Sequence, residues 1–256
     1  MRFGPLGPAG ARYAPGMLSI RAVTDPSDPA IAAFGALQER AYFEPDMLIP
    51  APYIAHMLAR PGGARRDTLL VAEDERGRVL GGTLFHYLPD AGTGFSSFLG
   101  VEADARGRGV ARALNAARRE TLQGQGAAGV FIDVVNPERL SDEQRAAEAA
   151  VGSDPRSRRA SFHALGFRTV DVRYEQPVGG EDGGPVTDMD LLYQPFTDEQ
   201  GSVPAALVSE TMRAYWTPWL GAVRAAQHAQ ELQDRAGGRE RVPLLPATAS
   251  PSAFQR

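Results

Sequence analysis

The chain of 256 residues contains no cysteine and no lysine, so all 27 of its basic residues are arginine. Without cysteine there is no disulfide, no thiolate metal site and no cysteine nucleophile. Without lysine there is no P-loop, whose motif needs one after its second glycine. No apolar run approaches the length of a membrane span. The four histidines, His56, His86, His163 and His228, have no metal-ligand spacing. No Gly-x-Ser-x-Gly elbow is present, which leaves a serine hydrolase without support. The net charge of −4 gives no bulk attraction for nucleic acid. The Gly/Pro/Ala-rich residues 1–16 lack the apolar core of a secretory signal and read as a disordered tail. These absences make a cytoplasmic protein without metal, nucleic-acid partner or membrane partner the expectation.

The chain is 43% hydrophobic, enough for a sizeable core, and its length fits one domain plus an appendage or two small domains. Its most informative stretch runs Val101-Glu102-Ala103-Asp104-Ala105-Arg106-Gly107-Arg108-Gly109-Val110-Ala111-Arg112-Ala113-Leu114. The apolar Phe98 to Val101 before it reads as a strand, and Val110 to Gln123 after it as a helix. A strand, a Gly/Arg-rich turn and a helix together suit a diphosphate. Glycine lets the backbone turn sharply and approach a ligand closely. The first helical N–H groups lack internal partners, and the helix dipole favours an anion there. Arg106, Arg108 and Arg112 add positive charge. A Rossmann fingerprint fits poorly, because Arg112 stands where its last small residue belongs.

The pattern Arg106-x-x-Gly109-x-Ala111 resembles the Arg/Gln-x-x-Gly-x-Gly/Ala signature of the GNAT acyltransferase superfamily. Two later features extend the resemblance. Gly129 to Asn136 is a β-branched, apolar strand ending in asparagine, and Ala160-Ser161-Phe162-His163-Ala164-Leu165-Gly166-Phe167 looks like the family's last helix and its Leu-Gly-Phe stop. The resemblance covers residues 18 to 195. It implies an α/β (α+β) fold, with a mixed, mostly antiparallel central sheet of six to seven strands flanked by helices. It also implies an acetyl-CoA cosubstrate whose diphosphate sits on Arg106, Gly107, Arg108, Gly109, Val110, Ala111 and Arg112. In the family the strand ending in asparagine splays from its neighbour, and the pantetheine arm enters there. That places Leu99, Gly100, Val101, Asn136 and Phe162 along the cofactor.

Local patterns give the remaining organisation. Leu18 to Val23 reads as a first strand, Pro29 to Tyr42 as a helix with Ile31, Phe34, Leu37 and Ala41 on one face, and Tyr53 to Ala59 as a short helix. Thr68 to Glu73 and Arg78 to Leu88 form a hairpin around Asp74-Glu75-Arg76-Gly77. An insertion over about 137–155 carries a capping box at Ser141 and a stop at Gly152, and Asp154-Pro155 opens the next helix. This insertion either shapes the acceptor pocket or is a solvated surface helix. Phe167 to Tyr174 and Val186 to Tyr193 read as the last strands of a domain over 17–195, joined by a flexible Gly179 to Gly184 link. A helical extension follows over 196–236. Leu207, Val208, Met212, Tyr215 and Trp216 stripe its first helix, and Thr217-Pro218 opens its second. The stripe packs on the domain, or forms a homodimer interface or a lid. Residues 237–256 read as a loose tail.

Acyl transfer to an amine needs a polarised carbonyl, a base for the amine and an acid for the thiolate. The family's glutamate, about ten residues before the signature arginine, is replaced here by Phe95, Ser96 or Ser97, and its helix tyrosine by Phe162. Glu102, Asp133 and His163 are the substitute catalytic candidates, with His86 behind them. Two functional readings stand. One is an acyl-CoA-dependent N-acyltransferase, transferring acetyl from acetyl-CoA to an unknown small-molecule amine by direct attack. The other is a catalytically impaired CoA-binding sensor or assembly module. A nucleotide-binding α/β protein is a third and predicts ATP or NAD binding.

Overall fold

The computed structural model describes residues 12–13, 18–42, 48–60, 62–179, 184–197 and 201–254. The N-terminal tail and the centre of the glycine-rich link expected above fall largely outside them. In chain order the elements are β1 (Arg12–Tyr13), β2 (Leu18–Val23), α1 (Pro29–Ala41), α2 (Ala51–Leu58), β3 (Arg66–Glu73), β4 (Val79–Leu88), β5 (Thr93–Val101), α3 (Val110–Gly124) and β6 (Gly129–Val135). There follow α4 (Asp142–Ala150), α5 (Pro155–Ala164), β7 (Arg168–Val170), β8 (Met189–Pro195), β9 (Ser202–Pro204), α6 (Ala205–Leu220), α7 (Ala222–Arg235) and β10 (Arg241–Pro246). The chain divides into two compact units.

The first unit comprises Met1–Pro61, Asp67–Leu84 and Phe98–Arg118. Its strands run in the order β1-β2-β3-β4-β5. Asp28 caps α1 by accepting from the Ala30 N–H at 2.9 Å, and Pro29 fits the first turn, where no N–H is needed. The buried face of α1, Ile31, Phe34 and Leu37, packs with Ile54 and Met57 of α2 and with Val23, Leu69, Val71, Leu84 and Phe98 of the strands. The rings of Phe34 and Phe98 meet edge to face at 5.6 Å. This close approach depends on glycine. A β-carbon on Gly100 would lie 2.5 Å from Leu37 Cδ2 and 2.8 Å from Phe98 Cε1. Gly100→Ala is therefore expected to lower stability by about 1–3 kcal/mol through overpacking. Urea denaturation tests this, and an unchanged midpoint would refute it.

The second unit comprises Gly62–Arg66, Phe85–Ser97 and Arg119–Arg256. Its strand order is β4-β5-β6-β8-β7-β10-β9. β6 pairs antiparallel with β8 along its whole length, from Gly129↔Pro195 to Val135↔Met189. Its parallel ladder with β5 is much shorter, Gly94↔Val130 and Phe95↔Phe131. Beyond that point the two strands part. The local caps form as their sequences dictate. Ser141 and Gln144 make a reciprocal capping box on α4, and Asp154 accepts from Arg156 and Ser157 at the start of α5.

Several expectations are corrected here. The tail after Gly237 is not loose: β10 pairs with β7 through Leu244↔Val170 and with β9 through Val242↔Val203. Its prolines are tolerated because the ladder uses the Pro243 carbonyl, which accepts from Asp171 N–H at 2.9 Å, while Leu244 N–H donates to Gly201 O at 3.0 Å. The break between the last two helices is not at Pro218, which lies inside α6; Gly221, with φ +79°, ends that helix instead. The strand expected over 167–174 is only Arg168–Val170, because the Val172 N–H folds back onto the Val170 carbonyl at 2.7 Å. The strand expected over 186–193 is shifted to Met189–Pro195, and Val186 makes only an isolated bridge with Gln176. Beyond the seven strands expected, β1, β9 and β10 are additional.

Candidate active site

In the first unit, the 3-10 turn Ala103–Ala105 and the arginine loop join β5 to α3. Gly107 and Gly109 take φ of +77° and +84°, a region costly to residues with a β-carbon. A β-carbon on either would meet nothing within 4 Å, so the loop faces open space. Arg106, Gly107, Arg108, Gly109 and Arg112 are exposed, and Val110 and Ala113 are buried beneath them. The Ala113 N–H donates to Gly109 O at 3.0 Å, which starts the helical ladder. The preceding amides of Val110, Ala111 and Arg112 are therefore first-turn donors without a helical acceptor. On β5, Gly100 is buried, and Leu99 and Val101 are half-buried. This unit thus gathers ten of the twelve expected cofactor residues.

Glu102 lies beside them but is engaged elsewhere. Its carboxylate pairs with Arg40 and its N–H donates to Leu80 O at 2.9 Å. It lines an open depression of about 730 Å³, where Arg21 pairs with Glu73 and Arg78 with Asp104. The structure thus places Glu102 in an ion pair on this surface.

The other two expected cofactor residues belong to the second unit. Asn136 is buried, and both its amide hydrogens are used inside the protein, on Asp190 Oδ2 and Ser250 Oγ, each at 2.9 Å. Its Oδ1 accepts from Glu138 N–H at 2.9 Å. Phe162 packs edge to face on Phe167 at 5.4 Å. The candidate His163 is an anchor: its Nδ1 accepts from the Ala247 N–H at 3.3 Å, just after β10.

Asp133 is different. It sits on β6, two residues past Phe131, where the ladder with β5 ends. Its carboxylate meets a phenol: Tyr174 Oη donates to Asp133 Oδ2 at 3.1 Å. Burial raises the Asp133 carboxyl from its ordinary 3.8 to about 6, and the Tyr174 hydrogen bond partly opposes that rise. Burial, and then the Asp133 charge, push the Tyr174 phenol well above its usual range. On β5 of the same unit, Ser97 Oγ lies 2.6 Å from His86 Nε2 and 3.1 Å from Tyr215 Oη of α6. Sequence reasoning missed Tyr174, Tyr215 and Ser97 as polar partners. The aromatic stripe contained Tyr215, but nothing local said what its hydroxyl touches.

The comparisons agree with this architecture. Residues 31–143 match the family model described as Acetyltransferase (GNAT) family. A curated relative, acetyltransferase Atu2258 of Agrobacterium fabrum, is 30% identical over 118 residues, which is 46% of this chain and 85% of the relative. Among solved structures, a GNAT-family acetyltransferase from Bacteroides thetaiotaomicron is 13% identical, with a TM-score of 0.53 over 80% of this chain and 98% of its own, and shares the fold. A GCN5-related N-acetyltransferase from Kribbella flavida is 23% identical, with a TM-score of 0.43 over 70% of this chain and 98% of its own. No helix among the described residues is long and apolar enough to cross a membrane. The family match over residues 31–143 and the relative that this chain spans over most of its length make it a member of the GNAT acetyltransferase family, an N-acetyltransferase that draws its acyl group from an acyl-CoA.

Proposed function

We propose that the protein transfers an acetyl group from acetyl-CoA to a small-molecule amine by direct attack, with Asp133 as the general base. The observation that carries this reading is the place of the Asp133 carboxyl on β6, two residues past the last β5–β6 pair and held by Tyr174 Oη at 3.1 Å, where burial also raises it to about 6. A base with that pKa is ionised at neutral pH and still able to take a proton from an ammonium group. The amine nitrogen forms the new C–N bond to the thioester carbonyl, the C–S bond breaks, and the amine's proton goes to Asp133.

The diphosphate is assigned to Gly107, Gly109, the first amides of α3, and Arg106, Arg108 and Arg112. Backbone donors at a helix start and exposed guanidinium groups are complementary to a pyrophosphate. A small acceptor is favoured because α6 covers this face of the second unit, with Tyr215 stacked on Phe95 at 3.7 Å. A base at Asp133 favours transfer over the catalytically impaired sensor, which the absent family glutamate and tyrosine had supported.

The test is titration calorimetry with acetyl-CoA, using ATP and NAD as controls, on the wild type and Arg106→Ala. We expect acetyl-CoA alone to bind. The variant should bind it about ten- to a hundredfold more weakly, the loss typical of one charge-assisted phosphate contact. Its melting temperature should stay within a degree or so, because Arg106 is exposed. Equal affinity in both proteins would remove the diphosphate role.

A further inference from the structure

We propose that Tyr174 positions the base: its hydroxyl keeps Asp133 ionised and oriented, and the C-terminal elements α6, α7 and β10 hold Tyr174 for that task. The proposal rests on the reading of Asp133 as the general base. Tyr174 is fully buried, four residues past the end of β7. A buried hydroxyl is costly unless its hydrogen bond is made. The bond made here runs to Asp133 Oδ2 at 3.1 Å. Its direction follows from the protonation states. At neutral pH the carboxylate has no hydrogen to give, and the phenol, shifted well above its usual range, keeps its own. Tyr174 therefore donates and Asp133 accepts.

A donor on a carboxylate favours its charged form. Desolvation drives the Asp133 carboxyl upward, and against it stand the Tyr174 hydrogen bond and, second, the Asp133 backbone N–H. The same bond occupies Oδ2 and leaves Oδ1 to take a proton. Asp133 is half-buried, so a substrate can still reach it. The amine's proton goes to Oδ1 and from there to water, while Tyr174 keeps its own proton throughout.

Tyr174 lies outside the strands, and the C-terminal elements fix the chain on both sides of it. Before it, Asp171 N–H donates to Pro243 O of β10 at 2.9 Å, its carbonyl accepts from Arg239 at 2.9 Å, and its carboxylate accepts from Ser252 N–H at 2.7 Å. After it, Glu175 pairs with Arg235 of α7 at 2.7 Å and with Arg173 at 2.6 Å. Over the ring lies Trp216 of α6, with the planes 19° apart and the centroids 6.4 Å apart. His228 of α7 meets Trp216 from its other neighbour helix at 6.3 Å. From α6, Tyr215 disfavours the Tyr174 phenolate, and Trp216 acts on the same hydroxyl in the opposite sense. On β8 the register partner of Asp133 is the apolar Leu191.

The test is a carboxyl-carbon NMR titration of the full-length protein, with Asp133→Asn identifying the Asp133 signal. The wild type should show its inflection at about 6. Tyr174→Phe keeps the ring beneath Trp216 and removes only the donor, so the inflection should rise by about one unit or more, the loss of one hydrogen bond to a charged group. Thermal melts should follow. Wild-type stability from this group falls between about pH 4 and 6 and is then level, whereas in Tyr174→Phe the fall should continue to about pH 7. A ring-fluorinated tyrosine at position 174, whose hydroxyl donates more strongly, should move the inflection down. An inflection unmoved in Tyr174→Phe would overturn the proposal and leave Asp133 standing as the base. Movement in the same direction by both substitutions would mark a packing effect and would also overturn it. Full turnover by Asp133→Asn would instead remove the base reading beneath it.

Discussion

Asp133→Asn should yield a protein that melts higher than the wild type at pH 7.5 and transfers acetyl groups about a hundredfold more slowly, or worse. The two effects share one cause. The Asp133 carboxyl has an ordinary value of 3.8 and is raised to about 6 in the folded protein. The folded state therefore holds this proton more tightly than the unfolded state does. Stability from this group is greatest at low pH, falls as pH climbs from about 4 to 6, and is level above that. The gap corresponds to roughly 3 kcal/mol of destabilisation at neutral pH, to order of magnitude. Asparagine is neutral at every pH, keeps an oxygen for the Tyr174 hydroxyl and escapes that cost, but it cannot accept the amine's proton. Wild-type turnover should rise with pH through about 6 and then level off, and the variant should show no such rise. Thermal melts at pH 4.5 and 7.5 check the stability half. A variant less stable than the wild type at pH 7.5 would show that the carboxylate is not desolvated as described. A variant with full turnover would remove Asp133 as base.

Asp190→Ala should cost about 3–5 kcal/mol, the usual penalty for leaving buried guanidinium groups without their carboxylate. Asp190 is fully buried and accepts from Arg159 Nη1, Arg139 Nη2 and Asn136 Nδ2. Arg159, 2% exposed, also donates to Ala247 O, Thr169 Oγ1 and Ala249 O. One carboxylate thereby ties α5, β7, β8 and the segment after β10. For a chain of this size the loss corresponds to a melting temperature lower by roughly 10 °C. Calorimetric melting of the variant decides the matter. A loss below about 1 kcal/mol would mean the network tolerates a vacancy at its centre.

These two residues also mark how far the amino-acid sequence could be read. Signals carried within a few residues were legible. Ser141 with Gln144, Asp154 with Pro155, the Asp74–Gly77 turn and the loop glycines each dictate a local shape and each forms it. Pairings across long stretches were not legible. Asp133 was a candidate, but its partner Tyr174 lies 41 residues away, and the Ser97–Tyr215 contact spans 118. His163 read as a catalytic candidate because nothing near it in the chain announces the Ala247 amide that it holds, 84 residues later. Strand β10 was hidden for a related reason. Proline argues against strand structure locally, and only its neighbours β7 and β9 show which of its backbone groups are needed.

The position of β10 constrains how this protein is made. A growing chain emerges N-terminus first, and among the described strands β10 is the last in the chain, yet it takes an interior place between β7 and β9. Until it arrives, both of those strands hold out unpaired backbone edges, the feature through which incomplete sheets stick to one another. The Ala247 and Ala249 carbonyls that Arg159 binds arrive later still. The second unit thus completes its sheet, and satisfies its buried arginine, only after synthesis has passed residue 249.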